Sequence, residues 1–304
     1  MIVIGNAINF KDISKQDKPI FDKFFQLRRY ENAHLNFTNL YMWRKPFGIQ
    51  WEIDDDVLYM CSHWKDVTTV LQPIGLDEKM PAAIEKICDC FSSRGEKFKF
   101  VGLEQFFVDM LKNSSRNFKI ERDDNNFDYV YLAEDLINLS GRKYHSKKNH
   151  VNSFWKSYPN AKYLEITPEI IEQCREELVR WYAVRKEENE NADFLKLERN
   201  AIFEVFDNFS DFKLKGGALH LGGKIIAFTF GEQINSDTAV IHVEKADPEV
   251  RGAYAAINQA FVENAWESMT YINREEDMGM AGLRQAKESY HPVKLIDKFN
   301  AELV

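Results

Sequence analysis

Cysteine is scarce in this chain of 304 residues, which has only Cys61, Cys88, Cys90 and Cys174. Four scattered thiols do not make a disulfide framework, and Cys88-x-Cys90 lacks the second ligand pair that a zinc site needs. Long apolar runs are missing too. No stretch approaches the roughly 18 residues of a membrane-spanning helix. The opening Met1–Phe10 has neither the basic start nor the long apolar core of a secretory signal. Positive charge is also short: 40 Lys and Arg face 48 Asp and Glu, leaving −8. Bulk charge of that sign excludes a general nucleic-acid or membrane-surface binder but permits a local basic patch. The expectation is a reduced, soluble, cytoplasmic protein with no transmembrane segment and no metal site.

What is present is a large core. Hydrophobic residues make up 44%, charged residues 29% and aromatics 13%, with 23 Phe, which excludes disorder as the main state. The length suggests two domains. In the first half, a start at Ile2–Ile4 precedes a helix from Pro19 to Tyr30, capped by Asp17, and an aromatic helix around Phe37–Trp43. Strands are expected at 49–53, 57–61 and 68–74. They are followed by a helix marked by Ile84, Ile87, Cys88 and Phe91, a strand at 98–103, a helix at 105–112 and strands at 118–121 and 129–132. The second half repeats that order. Its elements are an extended 161–166, a long helix from Pro168, a helix at 197–206, strands at 212–221, 224–233 and 238–244, and a helix through Tyr254, Ile257 and Phe261. A strand at 269–273, a helix at 281–289 and a final extended 293–303 complete it. The sequence does not visibly repeat; the order β-α-α-β-β-β-α-β-α-β does.

That order is similar to the GNAT acyltransferase fold. Three segments, Leu139–Pro159, His242–Asn258 and Tyr271–Pro292, and above all the run Asn273-Arg-Glu-Glu-Asp277, sharpen the likeness. Over essentially its whole length the chain resembles the bacterial family grouped with the C-terminal domain of phosphatidylglycerol lysyltransferase, and the Fem peptidoglycan-bridge transferases are similar in build. The resemblance implies an α+β fold of two tandem GNAT-like domains, each a central mixed sheet flanked by helices. The division is expected between 135 and 160, giving a structural domain 1–140 and a domain 141–304 with the active site. It also implies transfer of an aminoacyl group from aminoacyl-tRNA to a lipid or peptide-like acceptor.

The residues offer their own chemistry. From Asp135 to Glu165 no acid intervenes, while Arg142, Lys143, Lys147, Lys148, Lys156 and Lys162 are basic. Drawn as a helix from Arg142, this segment either binds phosphates of tRNA or an anionic lipid, or is a solvated helix held by Tyr144, Val151 and Trp155. Gly252 stands where GNAT acetyltransferases hold the CoA pyrophosphate on bare backbone N–H groups. Glu249 and Tyr254 occupy positions where that pattern wants a cation or amide and a near-absent side chain, and Arg251 offers partial compensation. The turn therefore argues against acyl-CoA. In the first half only Gly75 offers any such turn.

Glu244 ends the third meander strand, where GNAT enzymes often keep the carboxylate that deprotonates the attacking amine. A strand-end ion pair is the competing reading. Asn273, Arg274, Glu275, Glu276 and Asp277 follow the next strand and suit either a zwitterionic aminoacyl group or a helix-capping loop. Arg284, Lys287 and Tyr290 share one helix face. Tyr290 lies where GNAT enzymes place the proton donor, and a buried hydroxyl bonded to backbone is the alternative.

Taken together, these readings give an acyl-transfer enzyme with catalytic Glu244 and Tyr290. Substrate contacts fall to Asn273, Arg274, Glu276, Asp277, Arg284 and Lys287, and phosphate contacts to Arg142, Lys143, Lys147, Lys148, Arg251 and Gly252. The donor is aminoacyl-tRNA before acyl-CoA. The rivals are a CoA-dependent N-acyltransferase and a non-catalytic GNAT-like binding or regulatory protein.

Overall fold

The computed structural model describes residues 8–186 and 192–304. The extended start expected at Ile2–Ile4 lies outside them. The chain forms two compact units, Met1–Phe127 with Ile296–Val304, and Asp128–Leu295.

The first unit contains β1 (Lys11–Asp12), α1 (Lys18–Phe25), α2 (Phe37–Phe47), β2 (Gln50–Asp54), β3 (Val57–Trp64), β4 (Val67–Leu71), α3 (Met80–Ser93), β5 (Phe98–Leu103), α4 (Gln105–Lys112) and β6 (Phe118–Arg122). Local chemistry explains the boundaries. Asn36 caps α2 by accepting from the Asn39 amide at 3.1 Å, and Gly48 ends it in the left-handed conformation. Asp55 and Asp56 both take positive φ, as a two-residue type I′ hairpin between β2 and β3 requires. Asp17 does not cap α1 with its side chain. It closes a preceding 3-10 turn instead, accepting from the Ser14 amide at 2.7 Å, and α1 stops at Phe25. The apolar side of α3 (Ile84, Ile87, Cys88, Phe91) is buried with Phe100 and Phe107 in the core of this unit.

The second unit contains β7 (Asp128–Leu132), α5 (Ala133–Asn138), α6 (His145–Ser157), β8 (Lys162–Glu165), α7 (Pro168–Lys186), α8 (Ala192–Asp207), β9 (Lys215–Leu221), β10 (Lys224–Gln233), β11 (Thr238–Ala246), α9 (Ala253–Ala265), β12 (Tyr271–Asn273), α10 (Ala281–Glu288) and β13 (Lys294–Ile296). Buried Ala253, Ala255, Ala256 and Ala260 run along α9, and α5 and α6 pack against this small-residue helix.

The last strand, β14 (Phe299–Leu303), belongs to the first sheet, whose order is β1-β2-β3-β4-β5-β14-β6. The second sheet is ordered β13-β7-β12-β11-β10-β9-β8. The division thus falls at Phe127/Asp128 rather than near 140, and the final extended segment splits between sheets. The physical reason is pairing. β7 bonds antiparallel to β12 (Ile272 opposite Tyr131), while β14 is bonded on both sides, to β5 and β6.

Both sheets contain a parallel pair beside the meander, and these two pairs differ. β4 runs beside β5 from Thr68 to Leu71, nearly its whole length. β11 pairs with β12 only from Thr238 to Val240. From Ile241 onward, that edge of β11 carries no paired strand among the described residues. An opening in the sheet therefore exists in the second unit, whereas β4 and β5 of the first unit stay paired to the end of β4.

Candidate active site

The residues following β12 fill that opening. Arg274 reaches β11, where its Nη2 donates to Glu244 Oε1 at 3.0 Å. The second Glu244 oxygen accepts from Asn258 Nδ2 of α9, also at 3.0 Å. Both side chains of the ion pair are 13% exposed. The other guanidinium nitrogen, Nη1, and Asn258 Oδ1 are both buried and have no hydrogen-bond partner among the described residues. Buried polar atoms without partners are uncommon, and here two flank one carboxylate. The guanidinium lies over Tyr290 (4.9 Å) and Tyr131 (5.6 Å). Lys147 of α6 covers Tyr290 with its ammonium 4.2 Å from the ring centre.

Glu244 therefore sits in a strand-end ion pair, the competing reading of its position. Arg274 and Asn258 each hold one of its two oxygens. Tyr290 lies beneath the Arg274 guanidinium. It is buried, no hydrogen bond to its hydroxyl is recorded among the described residues, and burial pushes its pKa up to about 12. Lys147 goes the opposite way. Burial first, then the charge of Arg274, lowers its pKa.

The remaining residues expected to hold substrate instead build the loop that carries Arg274. Asn273 is fully buried, donating to Asp128 Oδ2 at 3.0 Å and accepting the Glu275 amide at 2.7 Å. Asp277 accepts from the Tyr129 hydroxyl (2.6 Å), Arg284 Nε (2.7 Å) and the Gly279 amide (2.7 Å). Burial alone would raise that carboxyl, but these three donors outweigh it and hold its pKa below the usual range. Lys287 is buried and donates to the carbonyls of Arg274 and Glu275, and burial lowers its pKa to about 8. Glu276 is half-buried on the same loop. Glu275, Met278 and Gly279 all have positive φ, a conformation that side-chain-bearing residues rarely adopt, so this network holds a strained loop.

His242 is the residue the sequence reading missed. Its side chain is wholly buried, with Nδ1 2.8 Å from Glu275 Oε1 and Nε2 3.2 Å from Glu232 Oε1. Burial would lower its pKa, but the two carboxylates prevail and raise it to about 9. An imidazolium thus bridges β10, β11 and the Arg274 loop. Asn258 was missed as well, although an Asn amid the alanines of α9 was a readable sign.

The basic segment does not converge on one patch. Lys143 turns to Asp135 (3.4 Å), Lys147 faces Tyr290, and Arg142 and Lys148 are exposed. Residues 142–144 form a 3-10 turn, and the helix proper begins at His145. At the turn before α9, Tyr254 is 39% exposed and so does not fill the pyrophosphate space as expected. Gly252, at φ +88, closes against α6 instead, and a methyl group there would come within 2.9 Å of the His150 carbonyl oxygen.

Comparison with known proteins agrees with this architecture. A crystallised conserved protein of unknown function from Bacteroides thetaiotaomicron is 36% identical with a TM-score of 0.90, covering 98% of this chain and 100% of the other. The C-terminal domain of a putative lysylphosphatidylglycerol synthetase from Agrobacterium fabrum is 12% identical with a TM-score of 0.69, covering 95% and 92%. An uncharacterised protein of Mycoplasmoides gallisepticum is 24% identical over 202 residues, 66% of this chain, and the chain spans only 60% of that relative's length. The fold is a tandem of two GNAT-like units, each a mixed sheet flanked by helices. The family profile described as phosphatidylglycerol lysyltransferase, C-terminal, matches residues 25–302, so this chain belongs to that family.

Proposed function

We propose that the chain is an aminoacyltransferase. It takes an aminoacyl group from aminoacyl-tRNA and passes it to an amine or hydroxyl on a lipid or peptide-like acceptor. The observation that carries this reading is the buried Arg274 beside the strand-unpaired edge of β11, held by Glu244 with one nitrogen left unpartnered. A fixed cation with a spare donor suits the oxyanion that forms when a nucleophile attacks an ester carbonyl. Glu244 then orients Arg274 rather than accepting a proton.

Lys147, whose ammonium is disfavoured by burial and Arg274, suits the base that takes the proton from the attacking group. Tyr290, protonated at neutral pH, suits the donor to the departing ribose oxygen. The ester C–O bond breaks, a C–N or C–O bond forms, and one proton passes from nucleophile to leaving group by way of these two side chains.

Acyl-CoA fits less well as donor, because α6 closes on Gly252 where the pyrophosphate would lie and Glu249 adds like charge. No helix among the described residues is long and apolar enough to cross a membrane, and a cytoplasmic location accords with a tRNA donor.

The test supplies tRNA charged with radiolabelled amino acids, together with phospholipid or peptide acceptors. Label should move to an acceptor, and Tyr290→Phe should slow the movement about 10²-fold with little change in KM. No transfer from any charged tRNA would favour the non-catalytic reading.

A further inference from the structure

The face of α6 turned away from Tyr290 borders a hollow of about 430 Å³ lined by His145, Ser146, Asn149, His150, Ser153 and Arg251. Every lining side chain is polar and none is acidic. Among the described residues no hydrogen bond, ion pair or ring contact is recorded for any of the six side chains. Elsewhere the half-buried Arg28, Arg116 and Arg175 and the exposed Arg122 hold carboxylates.

Five of the six lining residues belong to the acid-free stretch between Asp135 and Glu165, which also carries exposed Arg142 and Lys148. The nearest acids in sequence, Asp247 and Glu249, do not line it, and Asp247 Oδ1 is occupied by the Glu249 amide at 2.9 Å. A second feature built it. Gly252, with positive φ and no side chain, lets the turn carrying Arg251 approach the backbone of α6 at His150.

We infer that this hollow is a subsite for one nucleotide of a single RNA strand. Its volume falls within the range of small-ligand sites. A guanidinium with hydroxyl and amide donors is the set that contacts backbone phosphates. Imidazole faces stack on unpaired bases, and Asn149 can read a base edge. The inference rests on the aminoacyl-tRNA reading above and assigns a contact to it. It also shifts the expected phosphate contacts from Lys143 and Lys147 to the opposite face of α6.

The test measures fluorescence anisotropy of a short labelled single-stranded RNA with the full chain, across salt concentrations. Arg251→Ala should weaken binding about tenfold and lower the salt slope by about one. His145→Ala with His150→Ala should weaken it independently, and unchanged melting temperatures would show that both variants fold. Adenosine monophosphate should compete where equimolar inorganic phosphate does not. Affinity unchanged in both variants would overturn the inference. So would equal competition by phosphate, which makes the hollow an anion site only, or displacement of RNA by phosphatidylglycerol vesicles, which makes it a headgroup site. RNA binding lost in these variants, in a protein that transfers nothing, would uphold the subsite and refute the transferase. Aminoacyl transfer untouched by Arg251→Ala would do the reverse.

Discussion

Replacing His242 by Gln tests the strut beneath Arg274 without touching the reacting groups. In the folded chain the imidazole is wholly buried between Glu232 and Glu275, and its pKa rises from 6.5 to about 9. Each unit of pKa is worth about 1.4 kcal/mol, so the protonated clamp stabilises the fold by about 3 kcal/mol. The sign follows from the direction. A raised histidine binds its proton more tightly when folded, so this stability is fully present below pH 6.5. It is lost as the pH climbs through about 9. Lys287 acts in the opposite sense, because its folded pKa is lowered from 10.5 to about 8. Its burial penalty is full below pH 8 and is relieved between about 8 and 10.5. Wild type and His242→Gln share that contribution, so it cancels in their difference. Urea unfolding of both proteins should therefore show the variant less stable at pH 6, with the gap closing by about 3 kcal/mol by pH 9.5. Parallel curves across this range would refute a charged clamp.

Gly252→Ala should destabilise by about 2 kcal/mol or more, read by urea midpoint, since φ is +88 and the new methyl would meet the His150 carbonyl. Acetyl-CoA should give no low-micromolar binding in calorimetry, because that same closure occupies its pyrophosphate turn; tight binding would restore the N-acyltransferase reading. Asp277→Asn removes the charge that holds Arg284, Tyr129 and the Gly279 amide, and should raise hydrogen exchange in residues 274–280 while the first unit is unaffected.

The element order was legible because apolar spacing reports it directly. The strand at 224–233 and the helix at 105–112 fall where the periodicity puts them, and the strand expected at 238–244 and the helix at 281–289 end within two residues of their observed bounds. What spacing could not supply was partnership. Alternation put His242 and Glu244 on one face of their strand, yet only the register with Glu232 and the entry of Arg274 and Glu275 shows that both are occupied. Lys147 read as a surface cation because a helical run of lysines usually is one; its burial against Tyr290 comes from a residue 143 positions away. α5 went unread because Ala133–Asn138 is too short to show a period.

The placement of β7 and β14 bears on how the chain is made. By position in the repeat, Asp128–Leu132 closes the first half and Phe299–Leu303 closes the second, yet each is an interior strand of the other's sheet. Synthesis through Arg122 leaves a gap between β5 and β6 that β14 fills. Until then the facing edges of those two strands stay exposed as open templates for other chains. The N-terminal half thus cannot finish ahead of the rest, as domains ordinarily do during synthesis. A chain truncated before Phe299 would carry that seam permanently, a lesion in the first sheet caused by losing a strand that follows the whole second unit.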